Sequence, residues 1–400
     1  MSTLLSEIQR HAKDLYPELV EHRRHLHAHP ELSYHEKETS SYVERYLRTL
    51  GLEPQTGIGG YGLTAVIHGQ APVNSCIALR ADMDALPIHE ENAVPYISQN
   101  PGVMHACGHD VHTTSLLGAA AILTRTSHLW NGSVQLVFQP AEEVLPGGAS
   151  LMIRDGVFEK TKPQAIVGQH VYPELPAGKI GLKPGPYMAS TDEIYVTVTG
   201  VGGHGAKPHK NIDPVLIASH LVVTLQQVVS RWAYPAMPTV LSFGKFIANG
   251  ATNIIPNTVE MAGTFRTFDE EWRNEAHRRM KQLAESLVTG MGGQVDFRIE
   301  RGYPVLHNDA EMTSRCKAWA QAYLGEENVV DLDLRMTAED FAYYSQIMPG
   351  CFYRLGTADP NSNDKSFSVH HPKFDIDEKA LETGAGLMAW MAIQELSGGS

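Results

Sequence analysis

The sequence predicts an α/β protein whose mixed, largely parallel sheet domain is interrupted by an inserted ferredoxin-like unit. Two patterns carry that expectation. On both flanks of the chain, apolar strand-like runs alternate with helical stretches. Between about Asp192 and Glu300 the order changes to β-α-β-β-α-β, a unit of about 110 residues and so of ordinary domain size. The expected division is 1–188 and 301–400 for the α/β domain and 189–300 for the insert.

The elements follow in order. Val43, Tyr46, Leu47 and Leu50 have i, i+3, i+4, i+7 spacing, and Gly51 ends that helix. Ser75–Leu79 runs into Arg80-Ala-Asp-Met-Asp84. The small and apolar stretch Ser115–Leu123 follows Cys107-Gly-His-Asp110. Val134–Phe138 runs into Gln139-Pro-Ala-Glu-Glu143, and Ala165–Val167 into Gly168-Gln-His170. Ligands of such sheets bind beyond the carboxyl ends of the strands, where each of these polar motifs is expected.

In the insert, Ile194, Val196 and Val198 alternate as a strand should. Asp213-Pro214 reads as N-cap and first residue of a helix reaching about Trp232. Strands are expected near Thr239–Ile247 and Thr258–Thr267. Ala276, Met280, Leu283 and Leu287 mark a helix, and Val295, Phe297 and Ile299 alternate again. Beyond the insert, Glu311–Leu324 and Glu378–Leu396 read as helices and Phe352–Leu355 as a short strand.

Composition narrows the function. Thirty-two basic against 45 acidic residues give a formal charge of −13, which argues against a nucleic-acid partner. The first thirty residues lack an apolar signal core, and no run approaches the roughly 18 apolar residues that cross a bilayer. A cytoplasmic protein with no membrane partner is expected. Four irregularly spaced cysteines in 400 residues are not a disulfide framework. Twenty histidines, several in short clusters, favour metal chemistry.

Cys107 and His109 can offer a thiolate and an imidazole from one loop, because Gly108 relaxes the backbone between them. A buried Cys beside a capping His, or a Cys–His nucleophilic pair, would fit the same residues. Glu142-Glu143 follows an apolar strand and precedes Gly147-Gly148; one carboxylate could bind metal while the other holds a water. Paired glutamates are more often solvated surface. His170 ends an apolar run, where a His is more often a satisfied core residue than a ligand. Either His370 or His371 could be a ligand. Together the set suits a pair of divalent transition metals.

These pieces resemble the metal-dependent aminoacylase and carboxypeptidase family. The likeness is strongest to its branch of hippurate hydrolases, N-acyl-amino-acid amidohydrolases and plant auxin-conjugate hydrolases. The matching segments are Arg24-His-Leu-His-Ala-His-Pro-Glu31, Arg80-Ala-Asp-Met-Asp-Ala-Leu-Pro87 and Met104-His-Ala-Cys-Gly-His-Asp110. They continue with Phe138-Gln-Pro-Ala-Glu-Glu143, Gly202-Gly-His-Gly-Ala-Lys-Pro-His209 and Asn253-Ile-Ile-Pro256, then Glu339-Asp-Phe-Ala-Tyr-Tyr344 and Val369-His-His-Pro-Lys-Phe-Asp375. They stand in family order over nearly the whole chain.

The resemblance implies a catalytic α/β domain with an inserted lid and dimerisation domain. It implies two divalent metal ions per subunit, Zn2+ or Mn2+, with Ni2+ or Co2+ as further candidates. Cys107, His109, Glu143, His170 and His370 match the metal ligands; His370 is preferred to His371 because the family ligand stands two residues before Pro. Glu142 matches the general base, and His204 matches a His that reaches an active site, commonly the partner subunit's. Asn253 and Arg266 match positions near the substrate carboxylate or scissile carbonyl. Asp84 matches an acidic residue that orients the first metal site, and Asp82 stands where other branches carry a ligand His.

The implied activity is metal-dependent hydrolysis of the amide bond of N-acyl amino acids, hippurate-like or N-acetyl, or of small peptides, by a homodimer. Alternatives are an aminopeptidase or carboxypeptidase acting on dipeptides, a metal-binding scaffold without catalysis, and a cysteine hydrolase using Cys107. One departure stands out. Thr337-Ala338, preceded by Arg335-Met336, replaces the small Gly-Ser or Gly-Gly pair usual before Glu-Asp-Phe. That change bears on the acyl or side-chain pocket.

Overall fold

A computed structural model of the chain describes residues 2–71, 75–360 and 367–398. It divides into two units, the first formed by Met1–Gly185, His307–Asp333 and Asp340–Ser400.

That first unit is built on an eight-stranded sheet. Its order is Gln55–Ile58, Gly62–His68, Ser133–Gln139, Cys76–Asp82, Ala165–Pro176, Gly350–Ala358, Ile180–Leu182 and Val329–Asp331. The four middle strands from Ser133–Gln139 to Gly350–Ala358 run parallel, and antiparallel neighbours flank them. Parallel strands are covered on both faces, so Cys76–Asp82 is buried at every position. The expected short strand at Phe352–Leu355 is the middle of Gly350–Ala358.

Helices Ser2–Ala28, His109–Arg125 and Ala380–Gly398 pack on one another in the same core. Gly118 permits the contact: a Cβ there would lie 2.6 Å from the Ala385 Cβ and 2.7 Å from a Leu19 methyl. The helix over Lys37–Thr49 buries Val43 and Leu47 and ends at Gly51 with φ 78°, as the glycine stop requires. Ser2–Ala28, 27 residues with Pro17 inside it, is an addition to the sequence reading.

One expectation needs correction. His170 does not end its strand: pairing with Gly350–Ala358 carries the strand on to Pro176, leaving His170 at its centre. The residues after Val171 are half-buried or exposed, so the apolar signal stops before the strand does.

The second unit comprises Pro186–Leu306 and Leu334–Glu339. Its antiparallel sheet has the order Thr239–Ile247, Thr258–Thr267, Asp192–Thr199, Gln294–Arg301. With helices Pro214–Leu225 and Glu270–Gly290, this is the ferredoxin-like arrangement, first and third strands central. Asp213 caps its helix by accepting from the Val215 and Leu216 amides. The helix closes at Leu225, and a π-helical turn over Val228–Trp232 completes the stretch expected to be one helix. Among the described residues, no helix is long and apolar enough to cross a membrane.

Candidate metal centre and active site

The first unit gathers Cys107, His109, Glu143, His170 and His370. Cys107 and His109 flank Gly108, which has φ 80° and would press a Cβ to 2.6 Å from a Val171 methyl. A side chain is thus excluded there by conformation and by space. His109 opens the helix His109–Arg125. Glu142 and Glu143 leave the strand Ser133–Gln139 through Ala141, a left-handed residue at φ 50°. His370, at φ 65°, is fixed by its amide donating to the Ala106 carbonyl at 2.7 Å.

The donor atoms converge. Cys107 Sγ lies 3.4 Å from His170 Nε2 and 3.3 Å from His370 Nε2. Glu143 Oε1 lies 3.3 Å from His370 Nε2 and 3.9 Å from His109 Nε2. His371 turns elsewhere: its ring stacks on Phe367, and its Nδ1 accepts from the Lys373 amide.

The His170 and His109 rings both turn Nε2 inward. His170 donates through Nδ1 to the Val171 carbonyl at 2.8 Å, leaving Nε2 towards Cys107. His109 Nδ1 meets Asp84 Oδ1 at 3.2 Å. That leaves His109 Nε2 buried with no hydrogen-bond partner, and Glu143 Oε1, whose near neighbours are the His370 and His109 Nε2 atoms, also lacks a hydrogen bond. Two facing orphans of this kind are costly unless a cation binds both. The residues therefore fit a divalent metal.

Electrostatics agree. Burial works against a charge on His109, yet the Asp82 and Asp84 carboxylates carry its pKa up to about 10. A field that holds a proton so firmly on this ring favours any cation there. Burial and the carboxylates of Glu143, Glu142 and Asp82 push the Cys107 thiol well above its ordinary value. A nucleophilic cysteine needs the opposite surroundings, which argues against the cysteine hydrolase.

Asp82, His109 and His112 also lie close enough to hold a metal. His112, however, has no lone pair to give. Its Nδ1 donates to Asp82 at 2.6 Å, and its Nε2 accepts from the Val171 amide at 2.8 Å. Asp82 is further engaged by Arg80 at 2.6 Å. His112 was missed by sequence reasoning, although it sits one helical turn after His109 on the same helix. Asp340 was also missed as a site residue. Held by Arg80 and Gln139 at 2.8 Å, it directs its amide towards Glu142 Oε1 at 3.4 Å. Asp84 accepts from the Glu142 and Glu143 amides, both at 3.0 Å, besides its contact with His109.

His204, Asn253 and Arg266 lie in the second unit. Gly203–His204 pairs with Ile254–Ile255, and the Gly205 amide donates to the Asn253 carbonyl at 2.8 Å, so His204 and Asn253 are neighbours. Both are exposed. Arg266 Nη1 donates at 3.1 Å to the carbonyl of Met336, within the segment that departs from the family pattern.

Residues 78–394 match the model of the peptidase family M20/M25/M40. The chain belongs to this family. It is 41% identical over 304 residues to an N-acyl-L-amino acid amidohydrolase of Geobacillus stearothermophilus, covering 76% of this chain and 81% of that protein. It is 36% identical over 398 residues to thermostable carboxypeptidase 2 of Saccharolobus solfataricus, covering 98% of both. The YXEP protein of Bacillus subtilis, described as a dinuclear metal binding peptidase from the M20 family, is 35% identical at a TM-score of 0.83. That match covers 96% of this chain and 99% of the YXEP chain. This M20 chain is accordingly a metal-binding hydrolase of amide or peptide bonds.

Proposed function

We propose that this M20 hydrolase cleaves the amide bond of N-acyl amino acids at a site holding two divalent cations, with Glu142 as general base. The observation that carries the reading is the facing pair of buried, unpartnered donors, His109 Nε2 and Glu143 Oε1, beside a thiol and two further imidazoles. Cys107 belongs to two overlapping donor groups, one with His109 and His170, the other with Glu143 and His370. Cys107, His109, Glu143, His170 and His370 would together hold the cations. A thiolate with imidazoles leans towards Zn2+, with Mn2+, Ni2+ or Co2+ also suited to the nitrogen and oxygen donors.

Cations held there would polarise the scissile carbonyl and lower the pKa of a water. Glu142, 6% exposed at the strand end, takes the proton from the attacking water and passes it to the leaving nitrogen. Asp84 fixes the His109 ring and the amides of both glutamates. His204 stabilises the developing oxyanion, a contribution of about 3–4 kcal/mol in comparable sites. Arg266 offers a planar guanidinium to the amino-acid carboxylate, and Asn253 a polar contact near the carbonyl. The second unit exposes Leu216, Val223, Tyr234 and Phe246, which supports a second copy of this chain as its partner.

The test is hydrolysis of hippurate, N-acetyl amino acids and dipeptides by metal-depleted protein, before and after adding Zn2+ or Mn2+. Metal-restored turnover of the acyl amino acids is expected. Turnover restricted to dipeptides would favour the carboxypeptidase or aminopeptidase reading, and none with any of them the scaffold.

A further inference from the structure

The short link between the first two helices reaches the two adjacent glutamates from three sides. Ser33 Oγ donates to Asp84 Oδ2 at 2.6 Å, and Asp84 in turn accepts from the Glu142 and Glu143 amides. Tyr34 Oη donates to the Val144 carbonyl at 2.9 Å. Glu36 Oε1 accepts from the Ala141 amide at 2.7 Å and from the Tyr34 amide at 3.0 Å. The turn from Ala141 to Val144 is therefore held at its first residue, at both glutamate amides and at its last carbonyl.

This grip has a steric purpose. Ala141 and Tyr34 both have left-handed backbones, at φ 50° and 67°. Residues with a Cβ keep that conformation only where the surroundings enforce it. One oxygen of Glu36 binds the amides of both. Glu36 is fully buried, and its other oxygen has no hydrogen-bond partner, so the carboxyl group serves this contact at a cost in desolvation. The left-handed turn at Ala141 is also what takes the chain off the strand path just before Glu142 and Glu143.

We infer that Glu36 is a positioning residue: by fixing Ala141 it sets the directions in which Glu142 and Glu143 leave the strand. Tyr34 locks the far end of the same turn. The inference rests on the roles proposed above for the two glutamates. Glu36 is in none of the donor groups that could hold a metal.

The test compares Glu36→Ala, Glu36→Gln and the double variant Glu36→Ala/Ala141→Gly by cobalt(II) titration of metal-free protein and by steady-state kinetics. Glu36→Ala is expected to weaken cobalt binding about tenfold, as loss of an outer support does. Its kcat is expected to fall up to about a hundredfold at little-changed KM. Glu36→Gln keeps the accepting oxygen and is expected to stay within about threefold of wild type in both. Ala141→Gly adopts the left-handed turn without help, so the double variant is expected to regain about fivefold or more of the lost affinity.

Cobalt affinity of Glu36→Ala within about threefold of wild type would overturn the inference, as would a deficit that Ala141→Gly leaves untouched. Glu142→Gln is measured in parallel. If it retains wild-type turnover, the general-base reading fails, while the cobalt titrations still decide the role of Glu36.

Discussion

At Glu36, burial and the nearby Asp84 carboxylate push the pKa from an ordinary 4.5 up to about 7. Between those values the folded chain keeps a proton that the unfolded chain has released. Stability therefore falls as pH rises through that window, by about 3 kcal/mol once pH 7 is reached. Glu36→Gln cannot titrate. Urea midpoints of metal-free protein at pH 4.5 and 7.5 should fall less with pH in the variant than in wild type; equal falls would mean that Glu36 is not held protonated. Sequence gave little warning of this residue, because a lone Glu between a loop and a helix looks like solvated surface. His112 was hidden for another reason: its role needs Asp82 and the Val171 amide, which only the sheet brings to it. Cys107, His109, Glu143, His170 and His370 were legible because each stands in a motif of recognisable order.

The helix His109–Arg125 carries His109 at its start and Gly118 in its packed middle. The ideal Cβ at Gly118 meets the Ala385 Cβ, which cannot rotate away. Gly118→Val should lower stability by about 1–3 kcal/mol, measured by urea unfolding, while the folded fraction keeps wild-type metal content. An unchanged midpoint would show that the three helices have room between them. Elements with a strict period were legible, such as Asp192–Thr199 and Gln294–Arg301, which fall where the alternation of Ile194, Val196 and Val198 and of Val295, Phe297 and Ile299 put them. The helix Ser2–Ala28 had a readable signal in Ile8, Ala12, Leu15 and Leu19, all buried, but Pro17 interrupts it. The strand through His170 outruns its apolar signal because the residues after Val171 are half-buried or exposed.

For the whole molecule, the two units carry different parts of the proposed chemistry: Glu142 and the metal donors in one, His204, Asn253 and Arg266 in the other. If a second copy supplies His204, inactive Glu142→Gln and inactive His204→Ala subunits should recover activity when exchanged. Such a heterodimer holds one site in which both groups are intact. No recovery after verified exchange would leave His204 to serve its own chain. The division into a parallel-sheet unit and a ferredoxin-like unit was legible because the strand and helix order changes between them. The place of the Arg335–Ala338 segment was not, since its link to Arg266 is a backbone carbonyl that no side-chain pattern reports. The central claim is that Glu142 moves protons at a metal-loaded site without holding the metals itself. Its most direct test is the turnover of N-acetyl amino acids by Glu142→Gln at measured metal content. Wild-type metal stoichiometry is expected, with a kcat reduced by about two to four orders of magnitude. A variant that keeps its metals and turns over within about tenfold of wild type would contradict it.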